Sequence, residues 1–158
     1  MKKIKFNIVD FLLVIGIIAA IGVGVWYFTS SASGANVDVY FTVEFTQQFE
    51  DFADNIVISG EIRDSIRNTF LGRVERVEVR PAVTTTFDNL TGTWNRVYIP
   101  DRFDVYVTVV GQGNANPSQI SVNGEAVRVG QEMFIAGRGF AGIGFITELS
   151  TAQRGGQQ

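Results

Sequence analysis

The 158-residue chain has no cysteine and no histidine. Without cysteine there is no disulfide framework and no thiolate nucleophile, so any folded part must be held by its core alone. Without histidine the Ser-His-Asp arrangement is excluded, and with both missing so are nearly all zinc sites. Lysine is nearly absent as well: all three lysines fall within the first five residues, at Lys2, Lys3 and Lys5. Downstream of the first ten residues the charge is carried by 15 acids against 10 arginines. That acidic balance argues against nucleic acid as a partner and against a basic patch for anionic lipid.

What is present at the start is a long apolar run. Residues 11–28 carry no charge and no strongly polar side chain. As a helix they cover roughly 27 Å, and adding Ile8 and Val9 brings the length to about the 30 Å of a bilayer's hydrocarbon. A signal-peptide core is shorter, about 7–15 residues, so residues 8–28 are expected to be a transmembrane helix that is retained. The basic leader, residues 1–7, places the N-terminus in the cytoplasm by the positive-inside tendency, and the rest outside. Trp26 and Tyr27 are expected to anchor the outer interface, as Lys2, Lys3 and Lys5 anchor the inner one. Gly16, Ala20 and Gly24 recur every four residues, so they share one face and form a candidate helix–helix packing surface.

After a flexible linker at 29–36 the period changes from helix to strand. In VDVYFTVEF the residues Val37, Val39, Phe41, Val43 and Phe45 alternate with polar ones, the pattern of a half-buried strand. Further strands are expected in IVIS from Ile56, VERVEV from Val74, WNRVYI from Trp94 and FDVYVTVV from Phe103. A short helix or loop lies between, with Phe49, Phe52 and Ile56 at helical spacing. Asn123-Gly124 marks a tight hairpin turn, and residues 132–149 read as a last pair of strands with a glycine-rich bend. The expected fold is all-β, a small barrel or sandwich over residues 37–149, followed by a disordered tail at 150–158.

Three clusters could carry chemistry, and each has a plainer explanation. Gly137, Gly139 and Gly142 have dinucleotide-fingerprint spacing, but no helix follows them, so they read as turn and bulge glycines. Glu50, Asp51 and Asp54 lack the ligand number and the glycine of a calcium loop and read as a solvated face. Asp101 and Asp104 flank Arg102, but neighbours three apart on a strand point to opposite sides, which argues against paired-carboxylate catalysis. Pro100-Asp101 reads as a turn that starts a strand, and Asn89-Leu90-Thr91 fits a glycosylation acceptor. No catalytic, cofactor-binding or metal residue is expected, and the protein is not expected to be an enzyme.

SGEIRDSIRNTFLGRVERVEVRPA at 59–82, IPDRFDVYVTV at 99–109 and VNGEAVRVGQEMFI at 122–135 resemble the bacterial domain-of-unknown-function family 4330. Its members pair one N-terminal spanning helix with an exported β domain, and the resemblance covers nearly the whole chain. It implies turn and register roles for Glu61 and for Leu71-Gly72, and it implies no catalytic residue. A shorter stretch, NTFLGRVERVEVRP, resembles the hairpin of mammalian-cell-entry domains, whose membrane-tethered barrels assemble into rings. The expectation is therefore a bacterial cell-membrane protein with an extracytoplasmic β domain. Its role would be that of a structural, scaffold or adaptor subunit of a cell-envelope assembly. Its partners would be the lipid bilayer through residues 8–28, a homo-oligomer or an envelope protein complex, and no nucleic acid. The alternative is a pilin-like filament subunit, since Asp10 lies fifth counting from Phe6; against it, Lys5 stands where a prepilin peptidase needs a small residue.

Overall fold

The structure, a computed structural model, describes residues 8–30 and 35–153, with the side chains of the first stretch described over 13–24. The chain divides at Gly34 into two compact units. The first holds a 23-residue helix, α1 (Ile8–Ser30). No helix among the described residues is long and apolar enough to cross a membrane. The side chains of α1 are described over residues 13–24, a stretch shorter than the about 20 residues a crossing takes.

The second unit is built from β1 (Ala35–Gln48), the one-turn helix α2 (Glu50–Asp54), β2 (Glu61–Asp64), β3 (Phe70–Asp88), β4 (Thr93–Ala115), β5 (Ile120–Val122), β6 (Glu125–Val127), β7 (Glu132–Ala136) and β8 (Ala141–Gln153). Following the pairings gives β1-β8-β7-β2-β3-β4, and β4 then pairs back with β1. Every pair in that ring is antiparallel. The sheet is therefore closed on itself as a barrel, which removes most free edges. β5 and β6 form a hairpin hung on the end of β4, with Asn123 (φ 48°) and Gly124 (φ 88°) at its turn.

The alternation along the strands decides which side faces in. Val37, Val39, Phe41, Val43 and Phe45 on β1 and Val105, Val107 and Val109 on β4 are all buried. With Ile62, Leu71, Val74, Ile135 and Ile146 they fill the barrel. One end is plugged by Phe45, Phe52 and Phe140, whose ring centroids lie 5.1 to 6.2 Å apart. The wall is tightest where β3 meets β4. A Cβ on Gly72 would stand 2.3 Å from the Val110 carbonyl oxygen, and one on Gly111 would stand 2.1 Å from that of Leu71.

Several expected boundaries change. Ser30 is still helical and Ala35 already pairs with Ala115, which shortens the linker expected at 29–36 from both ends. Residues 150–153, expected in the tail, are strand: Ser150 to Gln153 pair with Tyr40 to Val37, and the ladder of β1 outweighs their polar composition. IVIS is no strand. A turn from Val57 to Gly60 and positive φ at Ser59 break it, and β3 is met instead by the Ser59 N–H donating to the Val74 carbonyl. The segment likened to a hairpin, 68–81, contributes a single strand, the first part of β3.

Candidate functional site: a hairpin arm with an aromatic face

β3 and β4 are far longer than the ring needs. β1 leaves β4 at Phe103, yet β3 and β4 remain paired from Val83–Tyr98 out to Asp88–Thr93. This outer part is a two-stranded arm about 20 Å long at about 3.3 Å per residue. The chain enters the barrel at Ala35, opposite Ala115, and leaves it at Gln153, beside Val37. The arm therefore projects from the end of β4 remote from both.

The base of the arm is a bend made by the backbone. The register slips between Pro81 and Val83, where Ala82 is fully buried, and Asp101 on the facing strand has φ 55°. A bulge of this kind turns a strand without ending it. Hence the two strands expected from Trp94 and from Phe103 are one, and Pro100-Asp101 is a bulge within it where a starting turn was expected. The adjoining corner is clamped: Asp104 Oδ1 accepts from the Gln47 N–H at 2.9 Å and Arg102 donates to the Gln47 carbonyl at 3.1 Å. The Arg102 guanidinium also lies 3.6 Å from the centroid of the Phe49 ring. Asp104 and Arg102 hold a strained corner (Gln47 φ 53°).

At the tip, Asp88 organises the turn. Its carboxylate accepts from the Leu90 N–H at 2.9 Å and the Thr91 hydroxyl at 2.8 Å, and its carbonyl accepts from the Gly92 N–H at 2.8 Å. The Leu90 N–H, then the Thr91 hydroxyl, hold the Asp88 carboxyl below the usual carboxylate range. Asn89, the glycosylation-acceptor residue, lies in this turn.

Strand alternation gives the arm two unlike faces. Phe87 faces Trp94, Thr85 faces Arg96 and Val83 faces Tyr98 on one side. On the other side lie Thr84, Thr86, Asp88, Thr93, Asn95 and Val97. Phe87 and Trp94 pair with ring centroids 5.2 Å apart, yet Trp94 is 69% exposed, Tyr98 73% and Leu90 at the tip 97%. A free-standing hairpin is marginal in water, and one that displays Phe, Trp, Tyr and Leu has the composition of an interface core. The strand expected from Trp94 is one side of this arm; its partner VTTTF and the turn residues DNLTG, which complete a hairpin, were not marked.

Elsewhere on the outer wall β1, β3, β4 and β8 build a polar ladder. Tyr106 donates to Glu44 at 2.6 Å, Arg80 lies over the Tyr106 ring, and the part-buried Thr42 hydroxyl contacts Thr108 and Glu148. The hydrogen bond to Glu44, with burial second, pushes the Tyr106 phenol up to about 12. An open hollow of about 670 Å³ lies against Val57, Ile58, Gly60 and Ala136. No cluster of acids that could hold a metal ion occurs among the described residues. Glu50, Asp51 and Asp54 are exposed on α2. Gly137 closes the β7–β8 turn through its N–H to Phe140, and Gly142 leaves room for the Phe45 ring.

Of the helix residues singled out above, Gly16 and Ala20 are exposed on α1 and Gly24 is half-exposed. Lys2, Lys3 and Lys5 lie outside the described residues, and so do the side chains of Trp26 and Tyr27.

With β3, β4 and the closed ring in view, the family can be stated: the model of the Domain of unknown function (DUF4330) matches residues 3–150. The chain belongs to the DUF4330 family. The match takes in the residues of α1, the arm and the ring, apart from the last three of β8. No curated protein and no solved structure matches the chain.

Proposed function

We propose that this DUF4330 protein is a single-pass membrane protein. Its β domain works on the extracytoplasmic side of a bacterial cell membrane as a non-enzymatic scaffold or adaptor in an envelope assembly. The observation that carries the reading is the coincidence of a 23-residue helix with 18 uncharged residues, 11–28, and a leader holding every lysine of the chain. A helix of 23 residues spans about 34 Å, enough for the hydrocarbon with some tilt. The scaffold part is supported by an arm with an aromatic face and by a chain without histidine or cysteine. Gly16, Ala20 and Gly24 offer a face on which helices can approach in the bilayer.

The test is alkaline extraction of membranes from cells making the full chain, with native mass spectrometry of the detergent-solubilised protein. Retention in the membrane with an intact N-terminus is expected. Release into the soluble fraction would sink the anchor, and a mature N-terminus at Phe6 would replace it with the filament reading.

A further inference from the structure

The outer edge of β3 is guarded over one part and open over another. From Arg76 to Pro81 it carries Arg76, Glu78, Arg80 and a proline, and a register shift lies at each end of that stretch. Charges, proline and bulges are the devices that keep an edge from pairing with another chain. Beyond the bend the devices stop. Val83-Thr84-Thr85-Thr86-Phe87 is uncharged, free of glycine and proline, and composed of β-branched and aromatic residues. Among the described residues its only strand partner is β4, on the inner side.

That run is also self-complementary. Laid antiparallel against a second copy of itself about a two-fold axis at Thr85, it sets Thr85 opposite Thr85, Thr84 opposite Thr86 and Val83 opposite Phe87. An aromatic facing a β-branched residue and Thr facing Thr are favourable cross-strand pairs, worth about 0.2–1 kcal/mol each. Because alternation is kept, the aromatic faces of the two arms become one face of a four-stranded sheet. Trp94, Phe87, Val83 and Tyr98 then run in a row across it. Arg96 of each arm falls on an outer strand, three strand spacings or roughly 14 Å from its counterpart, beyond the Debye length at physiological salt. Of the arm's charged residues, Arg96 lies on the strand away from the pairing edge and Asp88 lies on β3 just beyond the paired run 83–87.

We infer that residues 83–87 form a homotypic strand-pairing edge through which two copies of this chain join, arm to arm, as a two-fold dimer. This deepens the scaffold reading by naming the partner as a second copy, and it rests on that reading for where the dimer works. A lipid surface is the rival occupant. The self-complementary run at residues 83–87, with β-branched and aromatic residues facing each other across the pairing, favours a second copy over a lipid surface.

The chain has no cysteine, so single introduced thiols report the register directly. Directly opposed residues in an antiparallel pair have Cα atoms about 4.5–5.5 Å apart, within disulfide range, whereas positions offset by two lie about 8 Å apart, outside it. In the full-length chain, solubilised in mild detergent and oxidised, Thr85→Cys is expected to link to itself. Thr86→Cys is expected not to link to itself but to link when mixed with Thr84→Cys. Thr85→Lys, which sets two ammonium groups face to face, is expected to abolish the dimer while near-UV circular dichroism reports an intact barrel. Equal self-linking at 85 and 86, or a Thr85→Cys chain that stays single, overturns the inference. So does a blue shift of Trp94 fluorescence on phosphatidylcholine vesicles, read in a Trp26→Phe background, without linking at 85. A chain that stays in the membrane yet does not link loses the pairing alone, and one that links yet is released loses the anchor alone.

Discussion

Single residues in this barrel are set by what they hydrogen-bond. Tyr106 donates to Glu44, so its phenol keeps its proton up to about 12, against about 10 in an unfolded chain. The folded state binds that proton more tightly, so the contribution is complete below about pH 10 and is lost as pH rises from there through about 12. Titrating the tyrosinate absorbance should show one of the chain's four tyrosines ionising late, and Tyr106→Phe should remove that step. Asp88 has the opposite sign. Its carboxyl is held down by the Leu90 N–H and the Thr91 hydroxyl. The support it gives the turn is present above the ordinary Asp value and lost as pH falls through its lowered one. Asp88→Asn should leave the melting of the barrel unchanged and loosen the tip alone, read as faster amide exchange at Leu90 and Gly92.

Elements are set by where backbones approach and bend. β3 and β4 lie so close at Gly72 and Gly111 that a methyl group would strike a carbonyl oxygen. Gly111→Ala should therefore push the strands apart and cost about 1–3 kcal/mol or more, as overpacking of a close-packed site does, read from the denaturant midpoint. The same elements show what was legible in advance. Alternation marked β1 and the inner half of β4 correctly, because their valines face a dry interior on one side only. The Asn123-Gly124 turn was equally plain. Of the arm only the strand from Trp94 was, since VTTTF has both sides wet, and Pro100-Asp101 looks like a boundary when read locally. Only the continued pairing of 83–88 with 93–98 makes it a bulge inside one strand.

At the scale of the molecule, the ring of strands is the cooperative unit. Phe41, 1% exposed and lodged among the barrel valines, should cost about 3–5 kcal/mol when replaced by Ala, with a parallel loss of stability at every strand of the ring. The two compact units divide at Gly34. Residues 35–153 are accordingly expected to fold by themselves with a single denaturant transition, since among the described residues the barrel core begins at Val37. A gradual, non-cooperative transition of that fragment would show that the ring needs what precedes it.

The sequence by itself determined the exclusions and the class. The missing histidine and cysteine, the lysine-only leader, the long apolar run and the period-two strands all follow from composition and local pattern, which act over a few residues. Tertiary structure decided the rest. That the sheet closes through β1 and β4, that residues 150–153 belong to it and that β3 and β4 outrun it as an arm all depend on pairings between residues far apart in the chain. A strand's alternation tells which side is dry. It carries no information about which neighbour supplies the hydrogen bonds, and that choice made a barrel and left the edge at 83–87 open.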